Sequence, residues 1–177
     1  MSSTLLKGTW KGRGQVLKAT GEVVAHYLET ATFEPTRKTP SFVVYRVHQD
    51  TQNATTGKPM HTETGFLKIM TMNDGGDGNG AATMGLTHPF PSGMVQEMST
   101  GTWNAVDRQL TLTAQKLSRL DNTDDSNNSK PVTGFKRVYT LVQDDKVIYD
   151  QFMGAGGGEM YHHLHCEMEK VVDQTEN

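Results

Sequence analysis

A closed, all-β, antiparallel up-and-down barrel of ten strands, with little or no helix, is the fold this sequence predicts. Three observations predict it. Apolar residues recur at every second position in about ten short runs. Turn-forming residues separate those runs roughly every dozen residues, and no run carries the 3.6-residue period of an amphipathic helix. Composition agrees, because 34% hydrophobic residues and 18 glycines among 177 residues suit half-buried strands joined by many turns. Short connections between consecutive strands favour a barrel over a two-sheet sandwich, and a small barrel can enclose one ligand.

Leu6 to Thr20 opens the chain. Gly8, Gly12 and Gly14 around Trp10 disfavour a helix and suit a strand that meets another backbone closely. Val23 to Phe33 follows, with Val23, Ala25, Tyr27, Ala31 and Phe33 on one face. Two prolines make residues 34–40 a turn, since proline donates nothing to a ladder. Ser41 to Gln49 is strongly β, with Val43, Tyr45 and Val47 sharing a face. Met60 to Met72 is the next strand, and the Asp/Gly/Asn run 73–80 is a loop. Shorter strands are expected at 81–87, 93–98, 102–106 and 109–117; in the last, Leu110, Leu112 and Ala114 alternate with Thr111, Thr113 and Gln115. Ser118 to Lys130 is acidic and Asn/Ser-rich, a composition from which a mobile segment is expected. Phe135–Val142 and Val147–Met153 form a hairpin that leads through Gly154–Gly158 into a histidine-rich tail. One domain is expected over 6–171, with flexible ends at 1–5 and 172–177.

Charge narrows the partners. A net charge of −3 supplies no basic footprint for nucleic acid or an anionic membrane. No stretch is apolar for long enough to span a bilayer as a helix or to act as a signal peptide. A single cysteine makes no internal disulfide and favours a reducing compartment, so a cytoplasmic location is expected.

The tail Tyr161-His-His-Leu-His-Cys166 concentrates three of the seven histidines and the only thiol. Structural zinc needs four ligands, usually paired across two segments, and no second Cys/His cluster exists to complete it. A macrocycle-held metal needs one histidine only, which makes haem the better metal reading. Cys166 alternates with Leu164 and Met168, as an inward packing thiol would. The 73–80 loop lacks the first and last ligands of a calcium-binding EF-hand. His26 and His48 fall on polar strand faces, and the ten methionines suit an adaptable apolar core.

Four segments carry a family resemblance. Gly8-Thr-Trp-Lys-Gly-Arg-Gly14 has the form GxWxGxG, and Gly57-Lys-Pro-Met-His-Thr-Glu-Thr-Gly-Phe-Leu67 the form GKP[ML]HxExG[FY]L. Thr87-His-Pro-Phe-Pro-Ser-Gly93 is an expanded AHPxG, and His163-Leu-His-Cys-Glu-Met-Glu-Lys170 follows HLxAxLxR. In this order, over nearly the whole chain, they resemble the nitrobindins, haem-binding barrels shaped like fatty-acid-binding proteins and lipocalins. The resemblance implies ferric haem b at one barrel mouth, isomerisation of peroxynitrite to nitrate, and binding of nitric oxide. It maps the axial, catalytic histidine onto His163, and haem-contacting residues onto Thr20 and Lys130. The partners it implies are small molecules, with neither nucleic acid nor membrane and at most a weak homodimer. A carrier of a fatty acid or other apolar ligand, and a haem-based nitric-oxide sensor, are the alternatives. The chain departs from the family at Gly21–Tyr27, which replaces an aromatic run.

Alternation conflicts with the resemblance at one point. If Leu164, Cys166 and Met168 face inward, strict period-two counting turns His162 inward and His163 outward. His163 fits the family role if it precedes regular pairing, in a rim loop begun by Gly154–Gly158, and His162 is the alternative ligand.

Overall fold

The computed structural model describes residues 6–70, 80–90, 93–121 and 132–172. Ten strands run in chain order: β1 (Gly8–Leu17), β2 (Val23–Lys38), β3 (Phe42–Asn53), β4 (Pro59–Met70), β5 (Gly80–Phe90), β6 (Gly93–Asn104), β7 (Gln109–Asp121), β8 (Val132–Gln143), β9 (Lys146–Ala155) and β10 (Tyr161–Lys170). Each pairs antiparallel with its neighbours in sequence, and β10 closes on β1, so the sheet is an up-and-down barrel without edges. No helix occurs among the described residues.

Alternation sets what the barrel wall shows to each side. On β2, β3 and β8 the buried apolar residues are Tyr27, Ala31 and Phe33, then Val43, Tyr45 and Val47, then Phe135, Tyr139 and Leu141. At the end opposite the β1–β2 turn, Trp10 is fully buried and donates its indole N–H to the Leu6 carbonyl at 2.9 Å. That bond satisfies the one polar atom of a large apolar plug. Trp103 and Cys166 are also core residues, whereas His26 and His48 are exposed, as alternation predicts.

The glycines of the first strand serve close approach. A Cβ on Gly12 would lie 2.1 Å from the Glu167 carbonyl oxygen of β10, and one on Gly14 would lie 2.3 Å from the Tyr27 ring of β2. Only glycine lets β1 seal the barrel between those two strands.

Three expectations are corrected. The 34–40 turn shrinks to the residues after Lys38, because β2 continues through Pro35 with a register shift between Pro35 and Arg37 that takes up the missing N–H. The segments at 93–98 and 102–106 are one strand, β6, irregular at Met98/Ser99. Ser118 belongs to β7, so the polar segment starts later than its composition suggests. Most of the 73–80 loop, and Lys130, lie outside the described residues.

Candidate functional site

At the end of the barrel carrying the β1–β2 and β3–β4 turns, a cavity of about 230 Å³ opens among Val16, Tyr27, Met60, Phe135, Met153 and Leu164. Its polar lining comes from Gln49, Thr51, His61, Glu63, Gln151 and His163. Apolar walls with a few convergent polar groups are the usual composition of a ligand site.

His163 reaches this cavity by an irregularity. Along β10, His162 pairs with Phe152 and Leu164 with Gln151, so His163 is an extra residue with no partner on β9. It is a β-bulge, and a bulge resets the phase of alternation. Leu164, Cys166 and Met168 keep the inward face, while His163 joins Leu164 in lining the cavity. The rim-loop explanation is therefore corrected: His163 lies within β10, after pairing has begun at Tyr161, and the glycine-rich turn ends before it. His162 contacts Asp150, whose neighbours Tyr149 and Gln151 are buried, so His162 belongs to the outer face.

The His163 ring is held as a neutral imidazole. Its Nδ1 donates to the Leu17 carbonyl at 3.3 Å, which makes Nε2 the basic nitrogen. Burial lowers its pKa from 6.5, and this outweighs the effect of the Leu17 bond. A neutral ring whose other nitrogen is tied to a backbone carbonyl is the usual state of a metal-ligating histidine.

Beneath the cavity lies a charged network. Arg137 is wholly buried, with its Nη1 2.8 Å from Glu63 Oε2 and its Nη2 2.8 Å from Glu97 Oε2. Nη1 also donates to the Tyr149 hydroxyl at 2.7 Å, which in turn donates to Gln151 Oε1 at 2.7 Å. His88, almost fully buried, lies 2.9 Å from Glu63 through Nδ1 and 3.4 Å from Glu97 through Nε2. His61, on the cavity wall, has its Nε2 2.7 Å from Glu63 Oε1. Burial pushes the Glu97 carboxyl up, but Arg137, His88 and Ser99 outweigh it and hold it at about 2. Glu63 is likewise held well below the ordinary range, burial again being overcome by Arg137 and the two histidines. Burial lowers the His88 pKa, yet hydrogen bonds to the two carboxylates raise it above 6.5. Two carboxylates against one guanidinium leave an excess negative charge, which a protonated His88 neutralises.

A third buried acid, Glu29, accepts a hydrogen bond from Gln49 and forms no ion pair with an arginine among the described residues. Burial, with the Glu63 charge, raises it to about 7. The site thus combines carboxylates held ionised at neutral pH with one whose carboxyl is raised to about 7.

Of the two assigned site residues that are described, Thr20 and His163, it is His163 that lines the cavity, and Lys130 lies outside the described residues. Thr20 sits in the exposed β1–β2 turn, three positions after the Leu17 carbonyl that holds His163, and is not in the lining. The buried network was not anticipated. Its signal was present, because Glu63, Glu97 and Arg137 occupy positions in phase with core residues: Leu67 on β4, Val95 on β6, and Phe135 and Tyr139 on β8. A charged residue in core phase is one that must be paired inside.

Comparison with known proteins decides the family. A family model described as the THAP4-like, heme-binding beta-barrel domain matches residues 2–170. The chain belongs to this family, the nitrobindins. Peroxynitrite isomerase 2 of Mycobacterium marinum is 30% identical over 93% of this chain and 90% of its own length. Peroxynitrite isomerase 2 of Mycobacterium avium is 33% identical over 90% of this chain and 86% of its own length. Among solved structures, Rv2717c from M. tuberculosis superposes with a TM-score of 0.69 at 24% identity, covering 97% of this chain and 99% of that one. The S-type phycobiliprotein lyase CPES of Guillardia theta shares the barrel alone, with a TM-score of 0.54 at 6% identity.

Proposed function

We propose that this nitrobindin binds ferric haem b at the cavity mouth through His163 and isomerises peroxynitrite to nitrate. The observation that carries the reading is the His163 imidazole: half-buried at the cavity, neutral, and oriented by the Leu17 carbonyl so that Nε2 is the basic nitrogen. The relatives named peroxynitrite isomerase add the choice of reaction. At about 230 Å³ the cavity is smaller than the roughly 300–1,000 Å³ that enclose drug-sized ligands. A macrocycle would therefore extend to the mouth, where the Thr20 turn follows the lining strand β1. The Thr20 hydroxyl, and the ammonium that the family resemblance assigns to Lys130, suit carboxylates such as propionates. The same volume, above a floor filled by Arg137, Tyr139 and Tyr149, disfavours a carrier for a long alkyl chain.

Haem held by His163 would supply a Lewis-acidic iron suited to rearranging peroxynitrite and to binding nitric oxide. The chain supplies the surroundings. His163 fixes the metal side. Val16, Met153 and Leu164 give the cavity an apolar wall that limits the water around a bound reactant. His61 is held in the cavity wall by Glu63, which orients its ring and fixes which nitrogen carries the proton. The Arg137 network beneath keeps Glu63 ionised for that task.

Haem titration followed by the Soret band tests the ligand, and stopped-flow decay of peroxynitrite with nitrate yield tests the reaction. The expected result is a histidine-ligated spectrum in the wild type and in His162→Ala, its loss in His163→Ala, and faster decay to nitrate with haem than without. An unchanged Soret band in His163→Ala refutes the ligand, and equal decay and yield for haem-loaded and haem-free protein refute the activity.

A further inference from the structure

The outer face of the β9–β10 ladder gathers ligating side chains that the haem reading does not use. Asp150 and His165 are direct cross-strand partners. His162 Nε2 and His165 Nδ1 each lie 2.8 Å from the same oxygen, Asp150 Oδ1. The three ligand atoms all fall within 4.8 Å of one another. His162 and His165 are three positions apart and would face opposite sides of a regular strand. The extra residue at His163 returns them to one face, so the bulge that turns one histidine inward also brings two together outside.

The surroundings fix both rings. Phe152 stacks on His162 at 4.9 Å with an interplanar angle of 23°, and the Glu167 carboxylate lies 3.8 Å from His165 Nε2. The three side chains are 24–39% exposed, so the ligand atoms face a solvent-accessible recess. Two imidazole nitrogens and one carboxylate oxygen are the donor set of zinc and of copper or nickel, and too nitrogen-rich for magnesium or calcium.

We propose that Asp150, His162 and His165 bind one divalent ion of the zinc class on the outer wall of the barrel, with water completing its coordination. Ligand bonds of about 2.0–2.1 Å in a tetrahedron set neighbouring ligand atoms about 3.3 Å apart. Each nitrogen then has to move about 0.5 Å from Asp150 Oδ1, a small adjustment for side chains at a partly exposed surface. On binding, the proton of each neutral ring resides on the nitrogen away from the ion. His165 then directs its Nε2–H toward Glu167, a carboxylate placed as metal-bound histidines commonly have it. The ligands bracket His163, so the ion ties β9 to β10 across the bulge that aims that ring into the cavity.

Calorimetric titration of the tag-free chain with Zn²⁺ tests the proposal, alongside Asp150→Asn, His162→Ala, His165→Ala and His61→Ala. The expected result is one Zn²⁺ per chain, with affinity reduced about tenfold or more in each of the first three variants and unchanged in the fourth. Asp150→Asn keeps the shape of the side chain, and equal urea midpoints show that a loss of binding there is not unfolding. Co²⁺ in place of Zn²⁺ should give a nitrogen- and oxygen-ligated spectrum without thiolate charge transfer, since Cys166 is buried. No stoichiometric uptake by the wild type, equal uptake in all four variants, or loss in His61→Ala alone overturns the assignment.

Discussion

Replacing Arg137 by methionine removes the cation that two buried carboxylates share, and the structure gives the size of the effect. Glu97 falls from an ordinary value of 4.5 to about 2, chiefly because Arg137 overcomes its burial, and that difference is worth about 3 kcal/mol at neutral pH. Measurements on other proteins put the loss of one partner of a buried pair at about 3–5 kcal/mol, against a total of about 5–15 kcal/mol for a domain. His88 touches both carboxylates and neutralises one of them, so the lower end of the range is expected. The pH dependence has a definite sign. In the wild type the depressed carboxyls contribute stability above pH 4.5 that is lost as pH falls toward 2. In Arg137→Met the remaining unpaired carboxyl is raised instead, so the deficit grows as pH rises from 4.5 toward 7. Urea unfolding of the two proteins at pH 5 and pH 7.5 measures both. A deficit of about 3 kcal/mol or more at pH 7.5, shrinking at pH 5 and partly restored by adding Glu97→Gln, is expected. A deficit under about 1 kcal/mol, or one indifferent to pH, refutes the ion-pair account.

Gly14→Ala places a methyl group 2.3 Å from the Tyr27 ring, which lines the cavity. It should lower stability by about 1–3 kcal/mol and weaken haem uptake together, as thermal unfolding and haem titration will show. Cys166 is buried and its thiol is pushed up, by burial first and by Glu29 second, so native protein should resist thiol-specific reagents. Rapid labelling without denaturant would contradict that. Burial keeps His163 below 6.5, so haem loss on acidification should begin only below that pH, as the Soret band would report during a titration.

Strand number and direction were legible because alternation and turn chemistry are local. Even the corrections have local causes: Pro35 was read as a strand breaker when a register shift accommodates it, and Gly101 interrupts the apolar pattern of β6 without ending the strand. The tail was legible only in part. Alternation gave the correct inward face at Leu164, Cys166 and Met168 but the wrong side for His163, since a bulge is fixed by pairing with β9 and leaves no mark in the residues themselves. Asp150 escaped notice for the same reason, being brought to the histidines only by cross-strand register. The interior charges could have been read, because Glu63 and Arg137 stand where core residues belong. What sequence withholds is that they choose one another from β4 and β8, strands that are not neighbours in the barrel.

The bulge at His163 also bears on insulation. In a closed barrel the interior cavity is separated from bulk water at its sides by the sheet itself. Here the partition is a single backbone, and histidines next to one another in the chain address opposite sides of it. A charge, proton or ligand arriving at the outer pair lies one peptide unit from the ring that faces the interior. At this point the inner and outer faces of the wall share one strand, so the geometry of one is set by the same backbone as the other.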